Sequence, residues 1–302
     1  MSNLLTSARI LLNAAYMAVL VASVPAMADA PKNAAVQVVP VQDGIYMLAG
    51  AGGNIGLSVG KDGAFLVDDQ FAPVSKDILA AIATVSEQPV KFLINTHWHY
   101  DHTGGNENFG KQNAIIVAHK NVRTRLAAGG VIEAFKKEVP PAPEVALPVI
   151  TFEQAITFHF NGETIDVTHP APAHTDGDAI IYFNNANVVH MGDTFFNGFY
   201  PFIDASSGGN MLGVIEAVAA VLARIDDQTK VIPGHGRLSN KQELKEYHAM
   251  LNAVHAKVAP LKKAGKSVAE VVALKPTAAF DGKWGKGFLT PDQWVAIIYE
   301  AI

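Results

Sequence analysis

Apolar positions along this chain form short runs separated by polar turns, and these runs alternate with stretches at helical spacing. Val36–Val41 and Gly44–Ala49 are split by Gln42 and Asp43, which predicts a hairpin. Ile55–Val59 and Ala64–Val67 read as strands around the turn Lys61-Asp62-Gly63. Pro73–Val85 carries Ile78, Leu79, Ile82 and Val85 on one side, the period of a helix. Val90–Ile94 is a buried strand, Ala114–Ala118 another, and His119–Ala127 a helix. Ile156–Phe160 and Thr164–Val167 flank Asn161-Gly162-Glu163, a second hairpin signal. Ala179–Phe183, Val188–Met191 and Lys230–Ile232 are further strands, with helices over Gly213–Ile225 and Lys241–Leu261. Thr290-Pro291-Asp292-Gln293 has the form of a capped helix start. Strands mixed with helices in both halves predict sheets covered by helices.

One of these strands runs into unusual chemistry. After Val90–Ile94 the chain reads "THWHYDHTGGN", placing His97, His99, Asp101 and His102 within six positions. A strand end is a rigid base for a site, and Gly104-Gly105 lets the backbone turn away. In a loop, residues two apart point to one side and the neighbours Asp101 and His102 to another. That arrangement suits two metal ions better than one. Neutral imidazoles beside carboxylates are the donor set of borderline metals such as zinc. Three later positions share the same context of an apolar strand followed by a turn: His174 in "PAPAHTDGD", Asp193 in "VVHMGDTFF" and His235 in "VIPGHGR".

Composition narrows the classes. The chain has 302 residues, a formal net charge of −5 and no cysteine, so any metal sits on imidazole and carboxylate. The mild acidity gives no electrostatic footprint for nucleic acid. Arg9 is the only charge before Asp29, Ile10–Val24 is apolar, and Ala26-Met27-Ala28 has the small-x-small form of a cleavage site. Residues 1–28 are therefore expected to be a secretory signal peptide cut near Ala28–Asp29, with residues 29–302 a single domain in the periplasm or outside the cell. An uncleaved anchor is the alternative. No later run is long enough to span a membrane. The expected partner is a small-molecule substrate; the pattern leaves the oligomeric state open.

The ordered set H-x-H-x-D-H, H, G-D-T and G-H-G resembles the metallo-β-lactamase superfamily. The resemblance implies an α+β fold, a four-layer αβ/βα sandwich of two mixed sheets with helices outside. It also implies two zinc ions: His97, His99 and His174 on the first, Asp101, His102 and His235 on the second, and Asp193 between them. Asp68, in "FLVDD", matches a position that supports the motif, or is a simple turn acid. The implied reaction is attack of a metal-activated hydroxide on a cyclic amide or ester carbonyl, with Asp101 as the catalytic proton carrier.

Substrate is less determined. Many β-lactamases of this family carry cysteine where this chain has Asp193, and a lysine where it has Phe196. Arg237 either replaces that lysine or is a surface charge. The run Phe195–Phe202, "FFNGFYPF", holds five aromatics in eight residues, and Phe196 and Tyr200 are candidates to wall the substrate pocket. Gly50–Gly53 is either a turn or a mobile flap. Export favours β-lactam hydrolysis as the first reading. Asp193 favours a lactone or thioester hydrolase of the lactonase and glyoxalase II type. An iron dioxygenase of the same fold and a non-catalytic metal-binding module are the remaining readings. The other histidines, His119, His159, His169, His190, His248 and His255, are read as structural.

Overall fold

The computed structural model describes residues 35–302; the expected leader, residues 1–28, lies outside the described residues. The first sheet is built by β1 (Gln37–Gln42), β2 (Ile45–Ala49), β3 (Ile55–Gly60), β4 (Gly63–Val67), β5 (Val90–Asn95) and β6 (Ile115–His119). Then come a small hairpin, β7 (Gly130–Ile132) and β8 (Lys137–Val139), and the edge strand β9 (Ile150–Phe152). The seven strands run in the order β1-β2-β3-β4-β5-β6-β9, antiparallel up to β4 and parallel beyond it. The second sheet has six strands in chain order: β10 (Ala155–Phe160), β11 (Glu163–Thr168), β12 (Ile180–Phe183), β13 (Val188–His190), β14 (Lys230–Ile232) and β15 (Ser239–Asn240). Only β13 and β14 pair in parallel within it.

Strand alternation explains the layers. In β4, Phe65 and Val67 face a core shared with Ile165, Ile181 and Phe183 of the second sheet. Ala64 and Leu66 face the opposite way, against Ile78 and Ile82 of α1 (Ser75–Ala83). In β12, Ile181 and Phe183 point into the shared core, while Ile180 and Tyr182 point outward. Both faces are covered, so these central strands are apolar on both sides. The sequence-based α+β sandwich is the observed architecture.

Local differences have local causes. The motif region is not a plain loop: Tyr100–Thr103 forms one helical turn, α2, starting at His99, and Asn106–Gly110 forms α3. Asp69 accepts the Gly105 N–H at 2.8 Å between these two turns. The helix after β6, α4, spans Lys120–Ala128, with the His119 ring accepting the Asn121 N–H as its cap. Two long helices, α5 (Met211–Arg224) and α6 (Lys241–Lys263), pack on the outer face of the second sheet. Beyond them come α7 (Val268–Ala273), α8 (Asp281–Trp284) and α9 (Pro291–Glu300), the last opened by a Thr290–Gln293 capping box. Among the described residues no helix is long and apolar enough to cross a membrane.

Candidate metal centre

Asp68 is the anchor of the motif. It follows β4 and adopts φ 65°, a left-handed conformation that is uncommon outside glycine. Its Oδ1 accepts the Thr96 N–H and its Oδ2 the Thr96 hydroxyl, both at 2.7 Å. The same Oδ2 lies 2.7 Å from His102 Nδ1. The end of β5 and the start of α2 are thus tied to the end of β4 by one buried carboxylate.

Each of the other buried rings is held by its outer nitrogen. His97 Nδ1 meets the Thr96 hydroxyl at 3.0 Å. His174 Nδ1 meets the Phe202 carbonyl at 2.8 Å. His99 Nε2 meets Asp204 Oδ2 at 2.9 Å. Asp204 escaped the sequence reading. Its only signal is a position two residues after the aromatic run, on the segment that also caps the turn Ala205–Ser207.

The inner nitrogens then converge. His174 Nε2 and His99 Nδ1 are 3.0 Å apart, and His102 Nε2 and His235 Nε2 are 3.2 Å apart. Donor atoms fall into two groups, His97, His99, His174 and Asp193, and Asp101, His102 and His235. Asp193 Oδ2 reaches both: 3.6 Å to His174 Nε2, 3.8 Å to His97 Nε2 and 3.4 Å to His235 Nε2. Asp101 Oδ2 is 3.3 Å from His235 Nε2. Ligands about 2.0–2.2 Å from one tetrahedral ion sit roughly 3.4 Å from each other, so these spacings suit metal ions. His97 Nε2 is buried with no hydrogen-bond partner, a costly state that a cation would relieve, and Asp193 Oδ1 has only His102 Nε2 beside it, at 3.1 Å. Outer-nitrogen anchoring is also the usual arrangement of metal-binding histidine. The residues present fit two metal ions.

Electrostatics divide the groups. Burial, helped by the nearby His102 charge, pushes His97 well below the ordinary imidazole range, and burial lowers His174 to about 4. Both rings are neutral and ready to ligate. Burial acts the same way on His235, but Asp193 and Asp101 outweigh it and lift that ring to about 9. In Asp101, burial raises the carboxyl, while His102 and His235 overcome it and hold it near 2.

A glycine-rich turn binds the two halves of the site. Gly53 N–H donates to the Asp101 carbonyl at 3.1 Å, and Gln70 Nε2 donates to the Gly53 carbonyl at 2.8 Å. Asn54 Nδ2 donates to Pro233 O at 3.0 Å and to Gly236 O at 2.8 Å, on both sides of His235. Gly53 and Asn54 thus brace the end of this turn against both halves of the site. Close approach requires glycine here: a Cβ on Gly53 would lie 2.1 Å from His102 Cε1.

The mouth over the cluster is lined by Tyr100, Ile132, Phe135, Phe196, Phe202 and Phe288 beside the ligands. Phe196 stacks on His235 with ring centroids 5.0 Å apart. Phe202 stacks on His99 at 5.7 Å. Tyr200 is elsewhere. Its ring stacks on Trp294 at 4.1 Å and its hydroxyl donates to Asp281 Oδ1 at 2.8 Å, so it seats the C-terminal helices. Arg237 is 73% exposed and ion-paired with Glu243, outside the mouth lining. The six other histidines named above belong to neither donor group.

Comparison with known proteins agrees with this geometry. The family model described as the metallo-beta-lactamase superfamily matches residues 49–237. Among curated relatives, hydroxyacylglutathione hydrolase from Anaeromyxobacter dehalogenans is 28% identical over 59% of this chain and 59% of its own length. The alpha subunit of 2,4-dinitroanisole O-demethylase from a Nocardioides species is 28% identical over 46% of this chain and 40% of its own. The chain thus spans about half the length of such relatives. A metallo-beta-lactamase structure from Pontibacter korlensis is 22% identical with a TM-score of 0.59, covering 72% of this chain and 99% of that one. A sec-alkylsulfatase structure from a Pseudomonas species gives a TM-score of 0.66 at 15% identity, covering 88% of this chain and 50% of that one. These structural likenesses speak to the fold. The chain belongs to the metallo-β-lactamase superfamily. Its histidine–aspartate cluster supplies two groups of side chains that could hold metal ions.

Proposed function

We propose that this protein is a zinc-dependent hydrolase of small carbonyl compounds, acting on a thioester or lactone ahead of a β-lactam. His97, His99 and His174 would hold one zinc ion, Asp101, His102 and His235 the second, with Asp193 between them. When bound, such ions supply Lewis acidity and lower the pKa of water toward about 7. The chain's own residues do the rest. Asp204, Asp68 and the Phe202 carbonyl fix His99, His102 and His174 in position. Asp101 faces the mouth, where a carboxylate can take up a proton and pass it to the departing sulfur or oxygen. Phe196 and Phe202 cover His235 and His99 and exclude bulk water from them.

The order of substrates rests on the mouth. Among the described residues its lining is aromatic and aliphatic beside the ligands, with no lysine or arginine directly in it. Arg237 is turned to Glu243, and Lys137 sits over the Tyr100 ring, 5.1 Å from its centre. This reverses the order that export alone suggested. Several curated relatives carry the name hydroxyacylglutathione hydrolase, which supports a thioester. Export to the periplasm is part of the same proposal, and a mature N-terminus at Asp29, read by mass spectrometry, tests it.

The function is tested with zinc-loaded protein and three probes: an acetyl thioester, a γ-lactone and a chromogenic cephalosporin. Turnover of the thioester or lactone is expected, falling about 100-fold or more in Asp101→Ala while the thermal melt stays cooperative. Fastest turnover of the cephalosporin would restore the β-lactam reading. Recovery of a chelated sample by iron and not by zinc would overturn the zinc assignment.

A further inference from the structure

The cavity over the donor cluster is about 10 Å³ in volume, room for roughly one water. An acyl group larger than that meets the aromatic walls of the mouth. Phe196 and Phe202 are fixed: they are 1% and 3% exposed and packed on His235 and His99. Phe288 is different. It is 36% exposed, yet the backbone on either side is pinned. Leu289 is 1% exposed, the Trp284 carbonyl accepts the Tyr200 N–H at 2.9 Å, and Gly287 lies so close to Phe199 that a Cβ there would sit 2.5 Å from the Phe199 Cβ. A partly exposed ring on a pinned backbone, in contact with Phe199 at 6.1 Å between centroids, can change position by its own torsions alone.

Phe288 closes the mouth with Phe135, from the turn between β7 and β8. The two ring centroids are 6.4 Å apart, and Phe288 is 6.3 Å from Phe196. Phe288 lies beyond residue 237, where the family match ends. The C-terminal helices, seated by Tyr200 on Trp294, therefore bring this chain's own wall to the site.

We propose that Phe288 is the specificity-determining residue of this site, a swinging wall opposite Phe135 that admits small apolar acyl groups and rejects branched or aryl ones. The proposal rests on the hydrolase reading for its substrate, but the wall itself has an independent readout. An apolar pocket discriminates by shape, and one misplaced group in it changes kcat/KM by about 10–200-fold.

The test compares acetyl and benzoyl thioesters of one thiol, and the rate at which excess EDTA strips zinc from the loaded protein. In Phe288→Ala the benzoyl-to-acetyl ratio of kcat/KM is expected to rise about tenfold or more, and zinc loss to quicken. In Phe288→Trp both are expected to fall. An unchanged ratio in an active protein overturns the proposal. If neither thioester turns over, the chelation rate decides. A faster rate in Phe288→Ala keeps the wall and removes the substrate reading; an unchanged rate removes the wall.

Discussion

Asp204 Oδ2 lies 2.9 Å from His99 Nε2, across 105 positions of sequence, and leaves that ring only Nδ1 to offer the centre. The pair fixes both the tautomer and the tilt of His99. Asp204→Ala is expected to weaken zinc binding about 10–100-fold, because the ring loses its outer partner. Competition with a zinc-sensitive dye measures it. Wild-type affinity in the variant would show that His99 is oriented by packing on Phe202 alone.

Gly53 sits against the His102 ring with no room for a methyl group. Gly53→Ala is expected to push His102 off Asp68, cost about 1–3 kcal/mol of stability and lower zinc stoichiometry. Urea unfolding and metal analysis check the two effects. Two zinc ions per chain with unchanged stability would rule the contact out as a constraint.

Asn54 holds the backbone on both sides of His235 through one amide nitrogen. Asn54→Ala leaves the carbonyls of Pro233 and Gly236 without that donor, so a loss of about 1–3 kcal/mol is expected. Asn54→Asp should do no better, since a carboxylate has no hydrogen to donate. A stability equal to wild type in both variants would contradict the brace.

His119 carries the clearest pH dependence away from the metal centre. Burial and the stacked His169 ring, 3.9 Å away, lower it to about 4. The fold therefore prefers the neutral ring. Below the ordinary value of 6.5 the unfolded chain takes up the proton first, so stability is lost as pH falls from about 6.5 to about 4. His119→Asn keeps a side-chain cap for Asn121 and removes the titration. Urea midpoints of chelated protein at pH 7 and pH 5 should drop more in wild type than in the variant. Equal drops would assign the pH dependence elsewhere.

Tyr200 was a candidate pocket residue and instead anchors the C-terminal helices. Tyr200→Phe is expected to cost about 1 kcal/mol, the net worth of one hydrogen bond, visible as a lower thermal midpoint. A changed preference between acetyl and benzoyl thioesters at unchanged stability would return Tyr200 to the pocket.

Short segments of the chain were enough to mark the metal-ligand candidates and the elements beneath them. His97, His99, Asp101 and His102 lie side by side after an apolar strand, and His174, Asp193 and His235 each follow one; strand ends and donor types are properties of short segments. What surrounds them depends on long-range packing. Within one aromatic run, Phe195 packs on Tyr247, Phe196 covers His235, Tyr200 meets Trp294 and Phe202 covers His99. Composition could not separate these roles, because facing depends on the irregular backbone after Asp193 and not on a strand or helix period. Asp204, Asn54 and Phe288 were invisible for the same reason. Their partners lie far away in sequence, and only the packing of two sheets and the C-terminal helices brings them within a few ångströms of the ligands.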